Sequence, residues 1–119
     1  MIDFHSTLVS ALNDILPTCH ETVRHPGMAT PCISYLETNN YDTQHRGDTI
    51  VYSNIVYQVK VWDKSIATIQ SYVPQIDAAM RSLGFHRISS GELYDKETTM
   101  IQKLLTYEAL ASEIIGGNE

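Results

Sequence analysis

Two cysteines and two histidines near the start of the sequence are the residues best suited to metal binding or nucleophilic chemistry. They are Cys19, His20, His25 and Cys32. Zinc sites usually draw ligands from close pairs such as Cys-x-x-Cys or His-x-x-x-His, and here the two cysteines stand thirteen positions apart with no such pair. We therefore expect reduced, partly buried thiols and no metal site.

Recognisable catalytic patterns are also missing from the sequence. There is no G-x-S-x-G, no phosphate-binding glycine loop ending in lysine and no H-E-x-x-H. The remaining histidines, His5, His45 and His86, are dispersed, and solvated surface positions explain them best. We expect no catalytic residue and no cofactor. A small ligand-binding module or enzyme that uses Cys19, His20 and His25 stays open as an alternative, and a polar concave pocket around them would favour it.

The aromatic residues indicate a different kind of site. The chain has seven tyrosines and one tryptophan, and both types are enriched at the centres of protein interfaces. Tyr57 and Tyr107 fall at positions expected for the core. Tyr41, Tyr52, Trp62 and Tyr94 fall in loops or on the opposite strand face, so they are candidates for contacts with other subunits.

Size and charge restrict the classes of function. A chain of 119 residues and 13.4 kDa has room for one domain with one core. A net charge of -6 argues against a nucleic-acid-binding surface, which needs clustered Lys and Arg. No stretch approaches the roughly 18 apolar residues of a membrane span, and the first residues lack the features of a signal peptide. We expect a cytoplasmic product that does not bind membranes.

The first half of the sequence predicts a helix and three strands. Apolar residues three and four apart predict a helix from Ile2 to Leu16, and short strands are expected at 18–23 and 31–37. The polar segment 38–49 is predicted to be a mobile loop. It is followed by the strongest strand pattern, from Thr49 to Trp62, with alternating apolar residues.

The second half predicts one helix and one strand. Ser65 is suited to begin a helix and Gly84 to end it, with Pro74 expected to kink it rather than break it. A polar turn at 89–91 precedes a last strand at about 98–108, and residues 113–119 are expected to be a frayed tail. The predicted class is α+β, in the order α-β-β-loop-β-α-β. Two helices on one face of a mixed or antiparallel sheet would leave the other face available.

Several runs of residues resemble a known family. The run from Pro31 to Glu37 with Asn39-Asn40-Tyr41, the run from Tyr57 to Asp63, and the helix end from Ala78 to Arg87 with its Gly-Phe pair carry the likeness. Residues Glu92 to Asp95 and Lys103 to Tyr107 extend it. In these runs the sequence resembles the tail terminator, or tail completion, proteins of siphophages and of prophages in Gram-positive bacteria. Pro74 and the apolar residues after Ala109 depart from the family pattern.

The resemblance implies a non-enzymatic virion protein at the head-proximal end of the tail, assembled in the host cytoplasm. Such a protein forms a six-fold ring on the last ring of the major tail tube protein, stops tube elongation and joins the head-completion connector. Double-stranded DNA passes through its lumen without specific binding. Another head–tail connector or a minor tail protein is the main alternative. The interface residues that we expect are Asn39, Asn40, Tyr41, Arg46, Asp48, Tyr52, Trp62, Tyr94, Leu110 and Ile114.

Overall fold

The computed structural model describes residues 5–21, 29–44 and 50–114. They form one five-stranded sheet and two helices, which confirms the predicted α+β class. The sheet order is β1-β2-β3-β5-β4, in which β1 and β2 are parallel and all other neighbours are antiparallel. In chain order the elements are α1 (His5–Asn13), β1 (Thr18–His20), β2 (Cys32–Gln44), β3 (Ile50–Asp63), α2 (Ile66–Ser82), β4 (His86–Asp95) and β5 (Met100–Ile114).

The core lies between the two helices and one face of the sheet. Alternate residues of a strand point to opposite faces, and on the central strands one of these alternate sets is buried. The apolar alternation of β3 predicted one buried face, which the structure confirms from Ile55 to Val61. The buried core residues are Leu8, Leu12 and Leu16 near α1, Ile69, Ile76 and Met80 of α2, Phe85, and Ile33, Tyr35, Ile55, Tyr57, Val59, Val61, Leu105, Tyr107 and Ala109 of the sheet.

Local sequence signals fix both ends of α2. The Ser65 Oγ accepts a hydrogen bond from the Thr68 backbone N–H at 3.3 Å, so Ser65 is the N-cap that the sequence predicts. Gly84 adopts a φ of 94° directly after the helix, a conformation that residues with a side chain rarely adopt. The helix continues through Pro74 without a break.

The predicted loop at 38–49 is wrong for residues 38–44, which belong to β2. Residues 39–44 pair with 51–56 of β3, after a bulge at Thr38. Backbone hydrogen bonds to β3 hold this segment in a strand, which its polar side chains do not predict. Residues 45–49 lie outside the described residues. The predicted tail is likewise wrong at 113–114, which end β5, while 115–119 lie outside the described residues.

Strand β4 was not predicted, and the turn expected at 89–91 lies within it. Nine of its ten residues are exposed, so its sequence has no alternation of apolar and polar residues. The strand forms because β5 offers a complete antiparallel partner from Met100 to Glu108. The first helix ends at Asn13 rather than at Leu16, and the first strand ends at His20. Residues 2–4 and 22–23 and the expected turn at 25–27 lie outside the described residues.

Candidate assembly surface

The sheet face opposite the helices is the largest candidate surface for contacts. We call it the open face. Strand alternation and register place on it Asn54, Val56, Gln58, Lys60 and Trp62 of β3 and Gln102, Leu104, Thr106 and Glu108 of β5. All nine side chains are only partly buried. Both described helices pack on the other face, so this face is left uncovered by them, as the sequence predicted.

A hydrogen-bond network organises one end of the open face. Ser34, which is fully buried, donates from its Oγ to Glu21 Oε1 at 2.6 Å and accepts from Trp62 Nε1 at 2.8 Å. Lys60 Nζ donates to Glu21 Oε2 at 3.3 Å and lies 5.9 Å from the centre of the Trp62 ring. We call these four residues the Ser34 network. It joins Glu21, the residue after β1, to β2 and β3 and fixes the indole of Trp62 against the sheet.

Replacing Ser34 with alanine is expected to lower the free energy of unfolding by about 1–3 kcal/mol, because two partners lose a buried hydrogen bond. Trp62 is the single tryptophan, so its fluorescence maximum should also move as the indole is released. Urea titration followed by fluorescence measures both effects. Ser71→Ala is the matched control, since Ser71 is exposed and bonds only to a carbonyl of its own helix. Equal effects of the two substitutions would contradict this role of Ser34.

The ionic groups on the open face are balanced. The two basic side chains that the register places there are Lys60 and His86. Lys60 forms an ion pair with Glu21 at 3.3 Å, and His86 Nε2 lies 3.7 Å from Glu108 Oε1. The cations on the described part of the open face therefore lie beside carboxylates and do not form a cluster that could neutralise phosphate groups.

A second polar cluster lies on the helix side and joins α2 to the edge of the sheet. The buried Tyr107 hydroxyl donates to Asp77 Oδ1 at 2.5 Å, and Arg87 Nη1 lies 3.1 Å from Asp77 Oδ2. Burial raises the pKa of Tyr107 above its ordinary value of 10.0, and the hydrogen bond to Asp77 raises it further. The phenol therefore stays protonated and acts as a donor. Asp77 thus holds both β5, through Tyr107, and β4, through Arg87.

An apolar depression of about 430 Å³ lies where α2 begins beside the β4–β5 hairpin. Tyr94 is 60% exposed there, and Leu93 is 54% exposed. The depression contains neither Cys19 nor His20. The lining residues are Ile66, Glu92, Leu93, Tyr94 and Ile101.

The sequence-based metal alternative gains no geometric support. Cys19 is partly buried and Cys32 is buried, both as thiols. The ring of His20 packs edge-on against Tyr35, with centres 5.2 Å apart. Among the residues that the structure describes, no group of three or more His, Cys, Asp or Glu side chains could hold an ion. His25 lies outside the described residues.

The predicted interface residues do not form one cluster. Trp62 lies on the open face and Tyr94 at the apolar depression. The sheet register brings six others to one end of β2, β3 and β5, while Arg46 and Asp48 lie outside the described residues. The six at the shared end are Asn39, Asn40, Tyr41, Tyr52, Leu110 and Ile114.

Sequence reasoning missed the polar residues that hold the surface together. Glu21, Ser34 and Lys60 are far apart in the chain, and so are Asp77 and Arg87 relative to Tyr107. No sequence signal indicated this network, because a serine between the apolar Ile33 and Tyr35 falls on the face of the strand that alternation predicts to be exposed.

No protein-family model matches the sequence, and no curated protein matches it either. Neither described helix has the length and hydrophobicity that a membrane span requires.

Proposed function

We propose that the protein is a structural subunit of the tail terminator type, which assembles with copies of itself into a ring at the end of a phage tail tube. The observation that carries this proposal is the open face, which both described helices leave uncovered. A rigid sheet that is packed on one side and exposed on the other can line or border a channel when copies stand side by side. A head-to-tail contact whose rotation closes gives a finite ring.

The charge of the open face supports the second part of the proposal, a lumen through which DNA passes. Lys60 and His86 each face a carboxylate, and the whole chain carries a net charge of -6. Binding to DNA depends on neutralising phosphates with basic groups. A channel bordered by this face would therefore let DNA slide without retaining it. The major tail tube protein and the head-completion connector are the proposed partners at the two ends of the ring.

The mass of the purified protein, alone and mixed with tail-tube subunits, tests the proposal. A ring of six copies has six times the 13.4 kDa of one chain. Native mass spectrometry is expected to find that species, either for the protein alone or on the tube. A protein that stays monomeric in both conditions would contradict the proposed ring.

Tube length separates a terminator from another joining protein. When the protein is added while tubes polymerise, electron microscopy is expected to show shorter, capped tubes. Addition after polymerisation is the control and should leave their length unchanged. Tubes of normal length with the protein bound only to heads would instead indicate a head–tail connector.

A further inference from the structure

Two edges of the sheet can accept another strand. Strand β4 pairs with β5 on one side, and among the described residues no strand pairs with its other side. At the opposite edge, β1 reaches β2 only at residues 33–35. No described strand pairs with residues 38–44 of β2 on that side. An edge strand exposes backbone N–H and C=O groups that can pair with another chain.

The β4 edge has one feature that can hinder such pairing, a β-bulge at Ile88, and otherwise few of them. It has ten residues, no proline, and side chains that are almost all exposed. Its charged side chains are also engaged within their own subunit. Arg87 pairs with Asp77 at 3.1 Å, Glu92 with Lys103 at 3.3 Å, and His86 lies 3.7 Å from Glu108. The fourth, Asp95, accepts a hydrogen bond from the backbone N–H of Glu97 at 3.0 Å. Little charge therefore remains to repel an approaching strand.

The directions of the two edges are compatible with one another. Strand β2 is antiparallel to β3, β3 to β5, and β5 to β4, so β4 runs opposite to β2. Rotation about a ring axis keeps the inclination of every strand to that axis. The β4 strand of one copy would then meet β2 of the next copy in antiparallel orientation, the more stable kind of pair.

From this geometry we propose that β4 of one copy pairs antiparallel with residues 38–44 of β2 in the next copy, which joins the sheets into one continuous ring. The inference rests on the proposed ring and identifies the contact between neighbouring copies. We call this strand pair the seam. The register within one subunit places β4 level with residues 32–39 of β2, so β4 reaches residues 38–44 of the next copy when the strands are inclined to the ring axis, as strands in closed sheets are. The partner is a second copy because both edges belong to every subunit, and a closed ring pairs each of them once.

Disulfide cross-linking of the full chain tests this seam. In a Cys19→Ser, Cys32→Ala background, Ser90→Cys is combined in turn with a cysteine at each of positions 39–43. A disulfide needs Cα atoms roughly 4.4–6.8 Å apart, so only positions near the true register will react. Non-reducing gels of at least one double variant are expected to show a ladder of covalent dimers and larger species. Each single variant, present in the same background as a control, should remain monomeric because its cysteine has no partner in a head-to-tail contact.

The alternative outcomes separate the seam from the ring. If native mass spectrometry finds the ring but none of the five double variants forms a ladder, the seam is wrong and the proposed function stands. If Ser90→Cys alone forms dimers as readily as the double variants, β4 pairs with itself, which also overturns the seam. A ladder that extends without limit and gives no six-fold species would uphold the edge pairing and contradict the terminator ring. Circular dichroism of each variant confirms that the fold is retained.

Discussion

Replacing Phe85 with alanine is expected to lower the free energy of unfolding by about 3–5 kcal/mol, the usual cost of deleting a buried aromatic ring. Phe85 is 1% exposed. Its ring meets that of Tyr57 edge to face, with the centres 5.8 Å apart and an angle of 83° between the planes. Such pairs stabilise a core beyond the area that they bury. Because small domains are stable by only about 5–15 kcal/mol, this one change could leave a large unfolded fraction.

Urea denaturation of the purified variant measures the effect. Leu93→Ala is the control, since it also removes a large apolar side chain, but from a position that is 54% exposed. The control is expected to change stability by about 0.5 kcal/mol or less, as surface substitutions usually do. A loss below about 1 kcal/mol for Phe85→Ala would show that the core closes around the gap better than its packing suggests.

The position of Phe85 links stability to assembly. Its backbone N–H donates to the Met80 carbonyl at 3.0 Å, directly after the glycine that ends α2. Strand β4 begins at the next residue. Loss of the Phe85 side chain should therefore loosen the start of β4, the strand whose outer edge is proposed to form the seam. The cross-linked ladder is expected to weaken in Phe85→Ala even at temperatures where the rest of the domain remains folded.

Elements with a buried face could be predicted from the sequence, because a buried face requires apolar residues at a regular spacing. Alternation at Ile55, Tyr57, Val59 and Val61 predicted β3, and spacings of three and four predicted α2. The structure confirms both elements and buries all four of these β3 residues. The same reasoning gave the α+β class and the placement of both helices on one face.

Elements held mainly by backbone pairing could not be predicted in this way. Strand β4 and the second half of β2 are rich in Ser, Asn, Thr and charged residues. Their hydrogen bonds come from β5 and β3, which are distant in sequence. Pairing with these distant strands outweighed the low strand propensity of the residues, as is common for strands. Both of these strands carry the edges of the proposed seam, so the sequence was least informative where assembly is proposed to occur.

The position of Trp62 on the open face could be predicted from the sequence, whereas its polar partners could not. Trp62 was expected to be an interface residue because it lies on the exposed parity of a strong strand. The structure gives it a further, internal partner in Ser34, which is 28 positions away. No spacing rule reports such a pair, because strand register alone decides which distant residues meet. Whether Trp62 also contacts a neighbouring subunit stays a prediction.

Asp77→Ala is expected to be the second most destabilising change, with a loss of about 2–3 kcal/mol. The Tyr107 hydroxyl would lose the acceptor that lies 2.5 Å away and remain buried without a partner, which costs about 1–3 kcal/mol. The Arg87 ion pair contributes less, since that side chain is 38% exposed. Asp77→Asn is the matched control. It keeps an oxygen that can accept from Tyr107 but removes the charge that holds Arg87, so it should cost clearly less.

A double-mutant cycle with Tyr107→Phe separates the hydrogen bond from the rest of the Asp77 side chain. Tyr107→Phe alone should cost about 1 kcal/mol, because Asp77 keeps Arg87 as a partner. In the Asp77→Ala background the same change should cost nothing or even stabilise, since it removes a hydroxyl that is already unsatisfied. If the two losses simply add, the hydrogen bond contributes nothing to stability, and α2 must be held to β5 by apolar packing alone. In that case Asp77→Asn should weaken the cross-linked seam as much as Asp77→Ala does, because only the Arg87 pair would then connect α2 to the β4 edge.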